Sequence, residues 1–120
     1  MRILIVDDSK AMRMIVARTV RQAGYGSSTL EEAVNGAEAL KQVKANMPDL
    51  ILCDWNMPEM NGIDLLRTLR NENINVPFGF VTSEGTVEMR HTAMEAGARF
   101  LITKPFTIES FQDALELVKQ

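Results

Sequence analysis

The feature that most narrows what this chain can become is an alternation that runs from end to end. Short apolar runs take turns with stretches whose apolar residues recur at helical spacing. Arg2–Val6, Leu50–Cys53, 76–81 and 100–102 are the runs, with a weaker candidate at 28–33 after the break Gly24-Tyr25-Gly26-Ser27. Apolar side chains at successive positions, rather than at every second one, mark strands buried on both faces. Between the runs, Met12, Ile15, Val16 and Val20 make one helical stripe, and Ala37, Leu40, Val43 and Met47 a second. Ile63, Leu66 and Leu69 make a third, and Ile108, Phe111, Leu115 and Val118 give the cleanest. Gly24, Gly36, Gly62 and Gly97 fall at the expected helix borders, while Pro48, Pro77 and Pro105 fall in loops or at element starts. Strands that alternate with helices demand a parallel sheet with right-handed crossovers and helices on both faces. The expected fold is therefore α/β, a single doubly wound (βα)5 domain over residues 1–120 with a five-stranded parallel sheet.

Composition sets outer bounds on function. A chain of 120 residues with 46% hydrophobic and 24% charged residues can bury one real core without staples and lies far from disorder. Its apolar runs are too short to span a bilayer, and Asp7 and Asp8 interrupt the N-terminal run too soon for a secretory signal. The single cysteine, Cys53, makes no internal disulfide and fits a reducing compartment, so a cytoplasmic location is expected. A formal charge of −3 argues against a non-specific nucleic-acid binder. No membrane or direct nucleic-acid partner is expected, and the chain reads as a monomer.

In a sheet of this kind, ligands bind outside the carboxyl ends of the strands, where the strand order reverses. At those ends the sequence places Asp7 and Asp8 after the first strand and Asp54 after the third. Thr82 and Ser83 follow the fourth, and Lys104 follows the fifth. Three crowded carboxylates repel one another unless a cation neutralises them, and Mg2+ is the hard ion that takes carboxylates while leaving room for phosphate oxygens. Lys104 adds a point charge suited to a phosphoryl group, and Thr82 a hydroxyl. Together these groups make a phosphoryl-transfer constellation. Each residue alone has a blander reading. Asp8-Ser9 could simply cap the first helix, and a threonine at a strand end is ordinary strand chemistry. Asp7, Asp8, Asp54, Thr82 and Lys104, five polar groups at the correct ends of four strands, outweigh those readings.

At these same residues the sequence resembles the receiver domain of bacterial two-component response regulators, within them the stand-alone chemotaxis type. The resemblance covers essentially the whole chain. It is carried by Val6-Asp7-Asp8-Ser9, by Asp54-Trp55-Asn56-Met57-Pro58-Glu59-Met60-Asn61-Gly62, by Val81-Thr82-Ser83 and by Lys104-Pro105-Phe106. It implies a flavodoxin-like fold and a phosphorylation-activated switch. Asp54 resembles the phosphoacceptor that takes a phosphoryl group from a sensor histidine kinase or phosphotransfer protein. Asp8 resembles the direct Mg2+ ligand, Asp7 acts through water, and Asp54 and the Asn56 carbonyl complete the metal set. Thr82 and Lys104 would engage the phosphoryl group, and the Lys104-Pro105 bond is typically cis in such domains. Asn56 and Glu84 occupy positions that tune phosphate lifetime, matching a short-lived signal. The output would pass to a protein target through the fourth-helix, fifth-strand and fifth-helix face. Such a protein catalyses its own phosphoryl transfer and loss but turns over no metabolite.

One position departs from the pattern. Leu101 stands at the switch site where most relatives carry Tyr or Phe, and strand alternation points the adjacent Phe100 to the opposite face. Gly79, between Phe78 and Phe80, is explained by close packing of a neighbour. The methionines, Met12, Met14, Met57 and Met60 among them, read as core filler. His91 reads as a packed or edge residue on the Val87–Met94 side of its helix. Lys10, Arg13, Arg18 and Arg21 make the first helix basic, and in receivers that helix docks the kinase, so Arg13 and Met14 are the expected contacts. Cys53 reads as inert. Rival readings fit less well. An aspartyl-phosphate hydrolase needs an Asp-x-Asp nucleophile on the first strand, and a flavodoxin needs a Ser/Thr/Gly-rich phosphate loop where Asp7-Asp8-Ser9-Lys10 stands. A non-phosphorylated interaction module, and a receiver cut from a longer transcriptional regulator, remain as alternatives.

Overall fold

The computed structural model describes residues 1–119. Strands β1 (Arg2–Val6), β2 (Thr29–Ala33), β3 (Leu50–Cys53), β4 (Phe78–Thr82) and β5 (Phe100–Thr103) form one sheet. Helices α1 (Lys10–Val20), α2 (Gly36–Ala45), α3 (Gly62–Asn71), α4 (Val87–Ala96) and α5 (Ile108–Lys119) alternate with them. A π-helical turn, Arg21–Tyr25, extends α1 and contains Gly24, whose φ of 108° breaks the helical path ahead of β2. All strand pairs are parallel, in the order β2-β1-β3-β4-β5, so the order reverses between β1 and β3.

Strands β1, β3, β4 and β5 bury both faces, as their unbroken apolar runs require, whereas the edge strand β2 carries Glu31 and Glu32 and buries only Ala33. Leu4, Val6, Ile51, Cys53, Phe78, Phe80 and Leu101 point to one side and pack with α2, α3 and α4 through Val43, Leu66, Leu69 and Ala93. Ile3, Ile5, Leu50, Leu52, Val81, Phe100 and Ile102 point to the other, against Val16, Val20, Phe111 and Leu115 of α1 and α5. Phe100 and Leu101 therefore do face opposite layers. The ring of Phe100 fills the space a Cβ on Gly79 would take, with Cδ1 2.7 Å from that point, which is why the strand tolerates glycine there.

Some expectations need correction. The fourth strand begins at Phe78 rather than Val76, because Pro77 has no N–H for the ladder and contributes only its carbonyl, which accepts from the Ile51 N–H at 2.9 Å. Ile15 is exposed. The inward line of α1 runs through Val16 and Val20, and Ile15 sits one step of about 100° away from it. Met47 lies beyond the end of α2 and is exposed, and Met14 is 54% exposed rather than core filler. His91 is not packed either. It stands on the outer face of α4 with the 83%-exposed Val87, and its Nε2 meets Glu95 Oε1 at 2.9 Å.

Candidate functional site

Backbone hydrogen bonds bring the strand ends together. The Asp7 N–H donates to Ala33, the Asp54 N–H to Val6 (2.9 Å) and the Lys104 N–H to Thr82 (2.8 Å). With Val6 registered opposite Cys53 and Thr82 opposite Thr103, the residues after each strand open onto one edge of the sheet. Asp7, Asp8 and Asp54 each present a carboxylate oxygen there, all within 4.8 Å of one another. Lys104 Nζ lies 3.4 Å from Asp7 Oδ2 and 3.8 Å from Asp54 Oδ1. The site sits at the reversal of strand order, between β1 and β3, where this topology leaves a crevice.

Each carboxylate is held differently. Asp7 is 4% exposed, and its Oδ1 accepts from the Ser9 N–H at 2.9 Å. Ser9 is itself the cap of α1, taking the Met12 N–H on its hydroxyl, so Asp8 is exposed and free of capping duty. Asp54 Oδ1 accepts from the Trp55 N–H at 2.8 Å. Burial pushes the Asp54 carboxyl above the usual carboxylate range; Lys104 opposes the shift, and Asp7 and Asp8 add to it. Burial also pushes the Cys53 thiol well up, with Asp54 and Asp7 adding, so it stays protonated. Three hard oxygen donors at this spacing, one of them half-buried, fit a small divalent cation of the Mg2+ type.

The rim carries the remaining polar groups. Thr82 is fully buried at the end of β4, and its hydroxyl accepts from the Glu84 N–H at 3.4 Å. Asn56 Nδ2 donates to Glu84 Oε1 at 3.0 Å, so the two residues expected to tune phosphate lifetime touch across the mouth. The Lys104-Pro105 bond is cis, as the resemblance implies. Gly62 closes the floor. A Cβ there would fall 2.8 Å from Phe80 Cε1 and closer still to the Asp54 carbonyl oxygen. Leu101 is buried under Gly85, and Arg90 Nη1 donates to its carbonyl at 3.1 Å.

Arg13 corrects an expectation. It is 9% exposed, with Nη1 on the Asp7 carbonyl at 2.6 Å and Nε on Glu32 Oε1 at 2.7 Å, and so is not available as a docking contact; Met14 is exposed beside it. Sequence spacing carried no signal for this link, because Glu32 arrives on β2, 19 positions further along the chain.

The fold and site define a doubly wound parallel domain with an acidic cluster and a lysine at its strand ends, and comparison places it in a family. Residues 3–116 match the response regulator receiver domain, and the chain belongs to that family. The chemotaxis protein CheY1 of Helicobacter pylori J99 is 40% identical, the match covering 98% of this chain and 96% of that one. CheY-3 of Vibrio cholerae is 38% identical, covering 98% and 91%. Among solved structures, Vibrio cholerae CheY4 superposes with a TM-score of 0.84 at 32% identity, over 98% of this chain and 97% of that one. A receiver domain from Francisella reaches a TM-score of 0.87 at 29% identity, over 98% and 96%. Among the described residues no helix is long and apolar enough to cross a membrane.

Proposed function

We propose that this CheY-like receiver accepts a phosphoryl group on Asp54 from the phosphohistidine of a sensor kinase or phosphotransfer protein, in a chemotaxis pathway or a related one. The observation that carries the reading is the juxtaposition of Asp7, Asp8 and Asp54 within 4.8 Å, with Lys104 Nζ 3.8 Å from Asp54. An Asp54 carboxylate oxygen attacks phosphorus, the P–N bond breaks, and its electron pair leaves with the donor imidazole. Asp7, Asp8, Asp54 and the Asn56 carbonyl would hold Mg2+, which when bound offsets the charge of the carboxylates and of the incoming phosphoryl oxygens. Lys104 supplies a fixed cation beside the attacking carboxylate, and the Trp55 N–H orients that carboxylate through Oδ1. Asn56 and Glu84, paired over the mouth, restrict water and so set how long the phosphate lasts.

The aspartyl phosphate adds a dianion where Asp54 stood. Thr82 and Lys104 move toward it, and the change passes through β5 to the α4-β5-α5 face. That face carries a groove of about 560 Å³ lined by Arg90, Leu101, Thr103 and Phe106, a shape suited to a protein target. With Leu101 in place of a ring, the coupling runs through Thr82, Gly85 and the Arg90–Leu101 hydrogen bond. The protein acts as a cytoplasmic monomeric switch, not as an enzyme with a metabolite substrate.

Intact mass after incubation with Mg2+ and acetyl phosphate tests this. One added phosphoryl group, absent in Asp54→Asn and with a chelator, is expected. No gain in folded wild-type protein, either with acetyl phosphate or with a histidine kinase, would sink the reading and leave a pure interaction module.

A further inference from the structure

Arginines on surface helices usually keep their guanidinium groups in water. Arg13 does not, although it lies only one turn past the Ser9 cap of α1. A buried guanidinium needs partners, and this one has two. Nη1 donates to the backbone carbonyl of Asp7 at 2.6 Å, and Nε donates to Glu32 Oε1 of β2 at 2.7 Å. The contact to Asp7 is to the main chain, so it does not compete for the carboxylate.

That carbonyl belongs to the peptide plane joining Asp7 to Asp8, which also contains the nitrogen and Cα of Asp8. Asp7 is thereby tied at every polar group. Its N–H is on Ala33, its carbonyl on Arg13, its Oδ1 on the Ser9 N–H, and its Oδ2 faces Lys104. Asp8 has no such ties and is exposed, so its direction depends on the plane from which it projects.

We infer that Arg13 is a positioning residue for the acidic cluster. By clamping the Asp7–Asp8 peptide plane, it aims the Asp8 carboxylate at Asp7 and Asp54 before a cation is bound, and Glu32 sets the angle of the clamp. The inference rests on the reading that this cluster takes Mg2+. It gives α1 a role inside the site, separate from any docking by its exposed Met14 face.

The test is Mg2+ titration of wild type, Arg13→Met, Arg13→Lys and Glu32→Ala. Binding is read by calorimetry and by fluorescence of Trp55, the single tryptophan, whose N–H bonds Asp54. Circular dichroism shows that each variant is fully folded at the titration temperature. Groups that orient metal ligands typically contribute about 10- to 100-fold in affinity, so Arg13→Met should bind Mg2+ roughly tenfold more weakly or worse. Arg13→Lys should fall between, since one ammonium cannot serve both partners, and Glu32→Ala should show a smaller loss in the same direction. Affinities within about twofold of wild type in Arg13→Met and Glu32→Ala would overturn the inference even if thermal midpoints fell, because a plain strut changes stability and not affinity. If Arg13→Met does not fold, Arg13→Lys and Glu32→Ala decide on the same criterion. Absence of Mg2+ binding in the wild type would instead overturn the reading of the cluster, and the inference with it.

Discussion

Gly62 joins fold and site at one atom, and replacing it with alanine tests both. It opens α3, its N–H donates to the Trp55 carbonyl at 2.8 Å, and its Cα faces the main chain of Asp54. An added Cβ would sit 2.8 Å from Phe80 Cε1, 3.2 Å from the Asp54 carbonyl carbon and nearer still to its oxygen. Neither neighbour is a loose side-chain end. Phe80 is fully buried against Trp55 and Phe78, and the Asp54 carbonyl is main chain at the end of β3. The segments must therefore part by more than about 0.5 Å, an overpacking of the kind that costs roughly 1–3 kcal/mol. Alanine's better helix propensity returns less than about 1 kcal/mol at a first-turn position, leaving a net loss of about 1–2 kcal/mol. For a chain of this size that corresponds to a fall of about 4–8 °C in Tm. The same displacement moves Asp54 relative to Asp8 and Lys104, and misplacements approaching 1 Å cost up to about 100-fold in rate. Thermal unfolding by circular dichroism and the initial rate of mass gain from acetyl phosphate measure the two effects. Gly26→Ala is the control, since its φ is −64° and a Cβ there meets nothing nearer than 4.0 Å. Gly62→Ala with both Tm and phosphorylation rate equal to the control would refute the argument.

Three further perturbations follow from the same geometry. Because Asp54 has a raised carboxyl pKa, the folded state holds its proton to higher pH than the unfolded chain. Metal-free protein should thus lose stability as pH rises from the unfolded value of about 3.9 through the raised one, and Asp54→Asn should lack that loss and melt higher at neutral pH; equal melting curves across this window would count against it. Lys104→Met removes the cation that holds the Asp54 carboxyl down, so carboxyl NMR should show its titration midpoint moving further up, and Mg2+ should bind more tightly; unchanged or weaker binding would contradict the charge argument. Gly79→Ala forces the Phe100 ring aside and should cost about 1–3 kcal/mol, while in the Phe100→Leu background the same change should cost much less. Denaturant unfolding gives the double-mutant cycle, and additivity to within about 0.5 kcal/mol would show that the two residues do not compete for space.

Much of the site was legible before any coordinates. Asp7, Asp8, Asp54, Thr82 and Lys104 each follow an apolar run, and a parallel sheet brings the carboxyl ends of its strands to one edge. What sequence reading missed depends on side chains meeting across elements. Arg13 reads as one more cation on a basic helix until Glu32 and the Asp7 carbonyl are seen on either side of it. Ile15 and Met14 look as apolar as Val16, and only the direction of α1 against the sheet separates exposed from buried. His91 likewise had no marker of exposure, because α4 wholly buries only Ala93 and turns its other apolar residues partly or fully outward.

The chain's own pattern determined the class of fold, the parallel sense of the sheet, the face split between Phe100 and Leu101, and the edge at which the polar residues gather. These follow from local rules: strand alternation, helical period, and the handedness of crossovers. Tertiary structure alone decided which ionisable groups are neighbours and how deeply each is buried. Those quantities set the raised Asp54 carboxyl, the reach of Lys104 to two carboxylates and the clamp of Arg13 on the Asp7 carbonyl. Coulomb energy and desolvation depend on distance and solvent access in space, and residues 97 positions apart, such as Asp7 and Lys104, have neither until the sheet has formed.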